Sequence, residues 1–507
     1  MSEKLKRFVY LIVMIFFEVF LYFQMIFNKP EITIKYKLVF LILCILSNIV
    51  SYVIFMVLDK NKKIRAEKIF LIIAILFGGL YLIFIPAILG TDELPHFLRP
   101  YQISVGDVIV KHPERNETKI PKALDGLVSE HTMSKRYTKE NIFKSVDYSD
   151  TKNLWNGDVT SIKYSPIPYL PQIVGFWGAR LFKLGALPTM YFVRLINFIT
   201  WLVISYFSIK LLPTKKIFAV ILYTSPAVLS IVSTCSGDAF ALSLFLLLIS
   251  YILNISNSKR NLTKKDYILL FLISFGISTY KVFYVLYVLL LLLIPYESFN
   301  KDRKRKIIYL STVIFVSFLA DFLWFSLTSI SSTIGSSLVS KQISFILNNP
   351  LKYFLIFINT YINDIYYYST NFVAGTEMCY GLAKINQLFI LSYLFILILS
   401  NFDGSKKNNI SRNGKILISL VSLAIFVLVS TTLYMDWTSK RVGIGATKIV
   451  GIQSRYFLPL IIPIVSMLPY CKKKFKDSSK LFKYSTLLNC IMIVNCISSL
   501  LIYVFPN

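Results

Sequence analysis

The feature that most constrains this chain is a long series of apolar segments separated by short basic runs. Seven segments have about the 20 apolar residues that a helix needs to cross a bilayer. They occupy residues 8–27, 38–58, 69–88, 189–211, 307–329, 416–434 and 484–505. Six shorter ones occupy residues 217–233, 238–254, 266–279, 281–296, 385–400 and 456–470. This pattern predicts an all-α polytopic membrane protein with about 13 transmembrane helices, forming one domain over residues 1–507.

Composition supports this class and argues against a nucleic-acid-binding protein. Hydrophobic residues make up 55% of the chain and charged residues only 16%, a balance that soluble domains of this size do not have. The net charge of +29 comes from Lys and Arg scattered between apolar segments rather than gathered on one face. We therefore expect the lipid bilayer, and no nucleic acid, as a partner. The six cysteines include no C-x-x-C pair, so no disulfide framework or zinc site is predicted.

The basic runs also predict the orientation, because cytoplasmic loops are enriched in Lys and Arg. They place the N-terminus on the cytoplasmic side of a plasma membrane. The same side holds residues 59–68, 214–216, 258–265, 301–306, 406–415 and 471–476. Because successive spans cross the membrane in opposite directions, three long loops are then expected outside the cell, at 89–188, 330–384 and 435–457. The C-terminus is also expected outside. The lysines of residues 28–37 conflict with this scheme. The arms on either side of residue 280 are short, so they either span the membrane or re-enter it.

Under this topology, unusual polar residues collect at the outer face. They are Asp92, Glu93, His96, Arg99, Asp238, Lys281, Gln453, Arg455 and Tyr456. Charge at membrane depth costs on the order of 2.5–3.5 kcal/mol, so several such groups at one interface indicate a shared polar cavity. Each also has a structural interpretation: the Asp-Glu pair as a helix end, Asp238 as a helix cap, and Lys281 as a snorkelling side chain.

Two aromatic segments are expected to border this cavity. Three prolines in KYSPIPYLPQIVGFWGARLF (163–182) predict an irregular stretch, followed by an interfacial helix carrying Trp177 and Arg180. Residues 348–372 are rich in aromatic side chains and broken by Asn and Asp, which predicts an amphipathic helix on the outer leaflet. Such helices can form the wall of a site reached by a lipid substrate.

The absence of several catalytic motifs reduces the number of reactions that this chain could catalyse. The sequence has no Walker loop, no G-x-S-x-G and no H-E-x-x-H, so ATP hydrolysis and serine or zinc hydrolysis lack support. A carboxylate at the interface can deprotonate a hydroxyl, and nearby cations can hold a phosphate leaving group. Activated sugars outside the cell are lipid-linked phosphates. The pattern therefore favours lipid-dependent glycosyl transfer without a cofactor, although a divalent metal bridging Asp92 and Glu93 is a rival role.

Two motifs carry a resemblance to a known family. DELPHFLRPYQIS (92–104) resembles the hallmark DE-x-x-H-F-x-R-A-Y-Q-I-S of a bacterial multi-spanning family catalogued as a domain of unknown function. GIQSRYFLPL (451–460) resembles the second hallmark of that family, G-x-Q-G-R-Y-F-x-P. Weaker matches at 236–242, 281–295 and 349–354 follow the same order. Pro100 and Ser454 depart from the pattern, standing where the family usually has Ala and Gly.

That family is similar to the GT-C class of integral-membrane glycosyltransferases. The resemblance implies a GT-C-like fold, an essential acidic residue in the first external loop, and a polyprenyl-phosphate-linked sugar donor. It assigns Asp92 or Glu93 to catalysis. It makes pocket residues of His96, Arg99, Gln453, Arg455 and Tyr456. We also expect Tyr101, Gln102, Asp238 and Lys281 to bind the substrate. We expect the acceptor to be a cell-envelope glycan or a teichoic-acid-type polymer.

Two other functions stay open. A flippase or transporter of a lipid-linked glycan should line its interior with basic residues at mid-depth, whereas the strongest motifs here lie at one face. A polysaccharide polymerase or ligase would use a long external loop such as 89–188, and the sequence does not separate it from a transferase.

Overall fold

The computed structural model describes residues 65–109, 161, 164–329, 333–374, 387–400 and 410–468, with scattered helical positions in 8–53 and 485–500. These residues form helices and connecting segments, with no β-strand among them, so the prediction of an all-α protein is confirmed for this part of the chain. The first two and the last predicted spans lie almost entirely outside it. Residues 110–160 of the first external loop and 375–384 of the second also lie outside the described residues.

In chain order the helices are α1 (Ala66–Phe84), α2 (Glu93–Ser104), α3 (Leu170–Leu181), α4 (Ala186–Leu211), α5 (Lys216–Tyr223), α6 (Pro226–Val232), α7 (Gly237–Ser258), α8 (Lys264–Ser278), α9 (Arg303–Ser329), α10 (Thr333–Asn348), α11 (Pro350–Asn363), α12 (Ile365–Ala374), α13 (Gln387–Ser400), α14 (Arg412–Arg441) and α15 (Leu458–Met467). Short 3₁₀ helices lie at Ile167–Tyr169, Tyr296–Phe299 and Ser454–Phe457, and a longer one lies at Val282–Leu293. By length and apolar composition, five of the described helices can cross a membrane: α1, α4, α7, α9 and α14.

The short apolar segment at 217–233 is two helices rather than the single one that we predicted. Helix α5 ends at Tyr223, and α6 begins at Pro226, whose ring removes a backbone donor and disfavours a continuous helix. The Ser225 hydroxyl accepts a hydrogen bond from the Val228 amide at 3.2 Å and so caps the second helix. The predicted amphipathic helix at 348–372 is likewise divided, into α11 and α12, at Asp364.

The 3₁₀ helix at Val282–Leu293 is unusually long at 12 residues, since most 3₁₀ runs end after three or four. Its rise of about 2.0 Å per residue, against 1.5 Å in an α-helix, extends it to roughly 24 Å instead of 18 Å. It packs between α8, α9 and α14. Tyr287 anchors it by donating to the Pro459 carbonyl at 3.3 Å. The tighter winding therefore lets a short segment cover much of the length of its neighbours.

Helix α4 is the centre of the packing, in contact with α1, α3 and α7. Its buried Trp201 lies edge-on to Phe70 of α1, with ring centroids 5.4 Å apart. Four helices begin close together at one end of this bundle. Their first turns carry Asp92 before α2, Asp238 in α7, Lys281 before the long 3₁₀ helix, and Gln453 before the last 3₁₀ helix. The fold thus gathers polar side chains at helix N-termini, whose partial positive charge favours carboxylates.

Candidate functional site

Four charged side chains from these converging helix starts form an alternating chain, which we call the charged quartet: Asp92, Arg455, Asp238 and Lys281. Arg455 donates to Asp92 Oδ2 in a short ion pair. On its other side, Arg455 Nε lies 3.2 Å from Asp238 Oδ2, and Lys281 Nζ donates to Asp238 Oδ1 at 3.2 Å. Gln453 Nε2 also donates to Asp92 Oδ2, at 3.2 Å. The two sequence motifs, separated by 363 positions, are therefore in direct contact, and their predicted proximity is confirmed.

The quartet is buried at one end and open at the other. The side chains of Asp238, Lys281 and Arg455 are only 6–7% exposed, whereas that of Asp92 is 44% exposed. Burial alone would raise the pKa of Asp92. The charge of Arg455 and hydrogen bonds from Arg455 and Gln453 outweigh burial and hold this pKa below its usual range. Asp92 is consequently an accessible anion at neutral pH.

A wall of aromatic rings surrounds the buried end. Lys281 Nζ lies 4.6 Å from the ring centroids of Tyr280 and Tyr456, and 5.8 Å from that of Tyr164. These distances are typical of cation–π contacts, which stabilise a charge that has little water around it. The predicted binding residues Lys281 and Tyr456 are thus brought together, beside tyrosines that the sequence analysis did not identify. Tyr164 lies in the proline-rich stretch, where its aromatic neighbours were the available signal.

His96 extends this wall from α2. Its Nδ1 lies 2.6 Å from the Tyr169 hydroxyl, and its ring stacks on Tyr164. Burial lowers its pKa to about 4, and the nearby cations Arg455 and Lys281 add to this effect against the opposing carboxylates. His96 is therefore neutral at physiological pH and acts through hydrogen bonding rather than charge.

Glu93 faces away from the quartet and forms a second, fully buried ion pair. Arg194 of α4 binds it through two parallel bonds, Nε to Oε1 at 2.7 Å and an Nη to Oε2 at 2.6 Å, and both side chains are 0% exposed. The Glu93 oxygens also accept from the backbone amides of Gly90 at 2.9 Å and Cys235 at 2.8 Å. These contacts favour a structural role for Glu93, and its catalytic role stays a prediction.

Arg194 is a further residue that the sequence analysis did not identify. Its remaining donors reach the carbonyls of Ile85 at 2.6 Å and Pro86 at 2.8 Å. Together with Glu93 it therefore joins the end of α1, the start of α2, α4 and the segment before α7. An arginine inside an otherwise apolar span is costly unless it has a partner, and this was the signal that could have identified it.

The backbone at both motifs is shaped for these contacts. Asp92 has a left-handed conformation (φ 54°), which Asp tolerates better than most residues. A Cβ at Gly90 would lie 2.6 Å from Thr234 Cγ2, so this position has no room for a side chain. Gly451 has φ +86°, and a Cβ there would lie 2.5 Å from the Trp437 ring. The glycines thus permit a close approach of the first motif to Thr234, before α7, and of the second motif to Trp437 of α14.

Three other predicted binding residues lie apart from the quartet. Arg99 is 0% exposed and donates to the backbone carbonyls of Tyr164 and Val108 at 2.8–3.1 Å. Tyr101 packs edge-on against Phe176. Gln102 is buried in the same helix. Arg99 and Tyr101 hold α2 against the proline-rich stretch and α3, and a role of these side chains in substrate binding stays a prediction.

The predicted helix carrying Trp177 and Arg180 is α3, and it packs against the other end of α2. Both side chains donate to the Ser104 carbonyl, at 3.2 Å and 2.9 Å. Trp177 is 56% exposed, a position suited to the polar boundary of a bilayer.

The geometry does not fit a metal bridging the Asp-Glu pair. Both oxygens of Glu93 are occupied by Arg194 and backbone amides, while Asp92 points to Arg455. Within the part of the chain that the structure describes, no group of three or more His, Cys, Asp or Glu side chains could hold a metal ion.

Five membrane-capable helices and a charged cluster at one end of them define a polytopic membrane protein. The chain belongs to the family described as predicted membrane protein (DUF2142), a family of unknown function whose model matches residues 75–464. That match includes both motifs and every member of the quartet. A search of curated proteins and a search of solved structures each found no match.

Proposed function

We propose that this protein is a GT-C-like glycosyltransferase of the plasma membrane. It transfers a sugar from a polyprenyl-phosphate-linked donor to a cell-envelope glycan or teichoic-acid-type acceptor. In this proposal about 13 helices span the bilayer, with the N-terminus inside, the C-terminus outside and the quartet at the outer face. Asp92 is the general base, and Arg455 holds the phosphate of the donor.

The observation that carries this proposal is the contrast within the quartet, where one accessible carboxylate stands at the mouth of a buried cationic cluster. A hydroxyl nucleophile needs a proton acceptor within hydrogen-bond reach, and a phosphate leaving group needs fixed positive charge. Asp92 is anionic and 44% exposed, and Arg455 lies directly behind it. The two requirements of glycosyl transfer from a lipid phosphate are therefore met side by side.

Gln453 provides a hydrogen-bond acceptor beside Asp92. Its Nε2 binds Asp92, while its Oε1 is buried and has no hydrogen-bond partner among the described residues. A buried acceptor without a partner costs free energy, and a hydroxyl of a bound sugar would satisfy it.

A lipid-facing approach to the quartet is consistent with the neighbouring helices. Helix α12 contacts the last 3₁₀ helix, where Ser454 donates to the Tyr368 carbonyl at 2.8 Å. The adjoining α11 has large exposed apolar side chains, including Leu351 at 79% and Ile362 at 63%. Such a surface suits contact with acyl or prenyl chains beside the site.

The experiment is a transfer assay with purified protein in nanodiscs and a panel of radiolabelled polyprenyl-phosphate sugars. We expect Asp92→Asn to lower the rate by about 10²–10⁴-fold, the usual contribution of a general base. Asp302→Asn is the matched control, because Asp302 is 45% exposed, also pairs with an arginine, and lies before α9, away from the quartet. A wild-type rate for Asp92→Asn would reject the general-base role. Movement of a lipid-linked glycan across vesicles without transfer would instead support the flippase.

A further inference from the structure

Arg455 is shared by two carboxylates that hold it unequally. Asp238 is 6% exposed and is itself bound by Lys281, so releasing it would leave a buried charge. Asp92 is 44% exposed, so water can replace Arg455 as its partner at low cost. Of the two ion pairs, the one with Asp92 is therefore the exchangeable one.

In this state Asp92 is a poor base, because Arg455 stabilises its anion and depresses its pKa. Proton transfer is most efficient when the pKa of the base lies near the working pH. The charged and titratable groups that act on Asp92 are Arg455, His96 of α2 and Tyr456, while Asp238 and Lys281 lie beyond Arg455. Among the described residues, Arg455 is the cation that pairs directly with Asp92.

We propose that the donor phosphate displaces Asp92 from Arg455, and that this exchange of anions converts Asp92 from a clamped ion into the working base. The inference rests on the proposed function. Arg455 stays paired with Asp238 throughout, so the incoming phosphodiester replaces one negative charge with another at the same guanidinium. Asp92 is then free to accept a hydrogen bond from the acceptor hydroxyl.

The transfer step balances with these groups alone. The acceptor oxygen forms a bond to the anomeric carbon as its proton moves to the Asp92 carboxylate. The bond from that carbon to the phosphate oxygen breaks, and its electron pair leaves on the polyprenyl phosphate. Arg455 holds the additional negative charge that develops there. Base activation and leaving-group stabilisation thus depend on the same guanidinium.

The test measures proton uptake during binding of geranyl methyl phosphate, a phosphodiester that stays a monoanion, with geraniol as the uncharged control. Calorimetry near pH 5 in two buffers of different ionisation enthalpy gives the number of protons taken up. We expect net uptake in the wild type, in Asp302→Asn and in His96→Gln, because neither substitution changes the acceptor of the proton. We expect none in Asp92→Asn. Absence of binding, or binding without uptake in the wild type, overturns the proposal.

A kinetic measurement separates this proposal from the proposed function. If the exchange occurs, the acid-limb pKa of kcat, which reports the donor complex, is higher than that of kcat/KM for the donor, which reports the free protein. Transfer with equal values in both profiles rejects the exchange and leaves the transferase. Proton uptake with no transfer of any sugar rejects the transferase and leaves a phosphate-binding site.

Discussion

Asp92 and Glu93 are chain neighbours with opposite environments. Asp92 is the N-cap with a left-handed backbone (φ 54°), and Glu93 is the first residue of α2, so the two side chains leave the backbone in different directions. Asp92 reaches the accessible end of the quartet, and Glu93 enters the buried pair with Arg194. Chemically similar side chains therefore have different surroundings, one accessible and the other fully buried.

We expect Glu93→Gln to destabilise the protein far more than Asp92→Asn. Removing one partner of a buried ion pair typically costs about 3–5 kcal/mol, since the other charge is left uncompensated. An ion pair that is half exposed contributes about 0–1 kcal/mol. Thermal unfolding of both variants in the same detergent measures the difference. Equal melting temperatures for Glu93→Gln and the wild type would contradict the structural role of Glu93.

His96 predicts a pH dependence of stability. Its pKa is lowered from 6.5 to about 4 in the folded protein, so the unfolded chain takes up a proton at a higher pH. The stabilisation is fully present above pH 6.5 and is lost as the pH falls towards 4. It amounts to up to about 3 kcal/mol. We expect the melting temperature of His96→Gln to fall less than that of the wild type over this range, and parallel profiles would contradict the assignment.

The sequence identified which motifs meet but not which member of each motif takes part. Charged residues at outer ends of apolar segments predicted that Asp92, Asp238, Lys281 and Arg455 share one environment, and the structure joins them. The division between Asp92 and Glu93 depends on Arg194, which lies 101 positions further along the chain. A local sequence pattern does not show which distant residue will contact Glu93, so motif spacing alone could not distinguish the roles of the two carboxylates.

At the scale of elements, the packing of α1 against α4 depends on a glycine beside a π-helical turn at Ala74–Gly78. A Cβ at Gly78 would lie 2.5 Å from the Phe198 ring, which is buried against Trp201. The Gly78 carbonyl also accepts from the Ser233 hydroxyl at 3.0 Å. The adjacent Gly79 has nothing within 4 Å of its Cβ position. The two neighbours therefore form a matched pair.

We expect Gly78→Ala to destabilise the protein by about 1–3 kcal/mol through overpacking. Gly79→Ala should be neutral or stabilising by up to about 1 kcal/mol, because alanine favours the helix. The two variants have the same amino-acid composition, so the difference between their melting temperatures measures the effect of position alone. A larger loss in Gly79→Ala would show that α1 does not contact α4 in this way.

Hydropathy predicted the positions of most described helices, because long apolar runs such as 189–211 have few alternatives. It did not predict the break at Ser225–Pro226 or the 3₁₀ winding of Val282–Leu293. Both segments are predominantly apolar. The proline decides the local geometry of the first, and the space between neighbouring helices decides that of the second. The length of an apolar run predicts that a helix forms there, whereas tertiary contacts decide whether it is continuous and whether it is an α-helix or a 3₁₀ helix.

At the scale of the whole molecule, α7 serves as a reference for the orientation of the bundle in the membrane. Its 22 residues extend about 33 Å, which is roughly the thickness of the hydrocarbon core. Asp238 lies in its first turn and Ser258 in its last. In the proposed topology the two ends of α7 lie at opposite faces of the membrane, with the quartet at one of them.

We expect Thr447→Cys to react with an impermeant thiol reagent in intact cells whose wall has been thinned, and Ser258→Cys to react only after permeabilisation. Both positions are exposed, so accessibility within the protein does not limit labelling. The natural cysteines are replaced first; the three that the structure describes are buried. The reverse pattern would place the quartet in the cytoplasm, where nucleotide sugars are available, and would remove the argument for a lipid-linked donor.

The Glu93–Arg194 pair also has a consequence for biosynthesis. At about 5–20 residues per second, the ribosome needs roughly 5–20 s to add the 101 residues between the two partners. During that interval Glu93 has no countercharge and must stay hydrated at the membrane surface, since burying it alone would be costly. The amide of Cys235 arrives later still. The segment that carries Asp92 can therefore fold only after α4 and the start of α7 have been synthesised, so the quartet is among the last parts of the nascent protein to form.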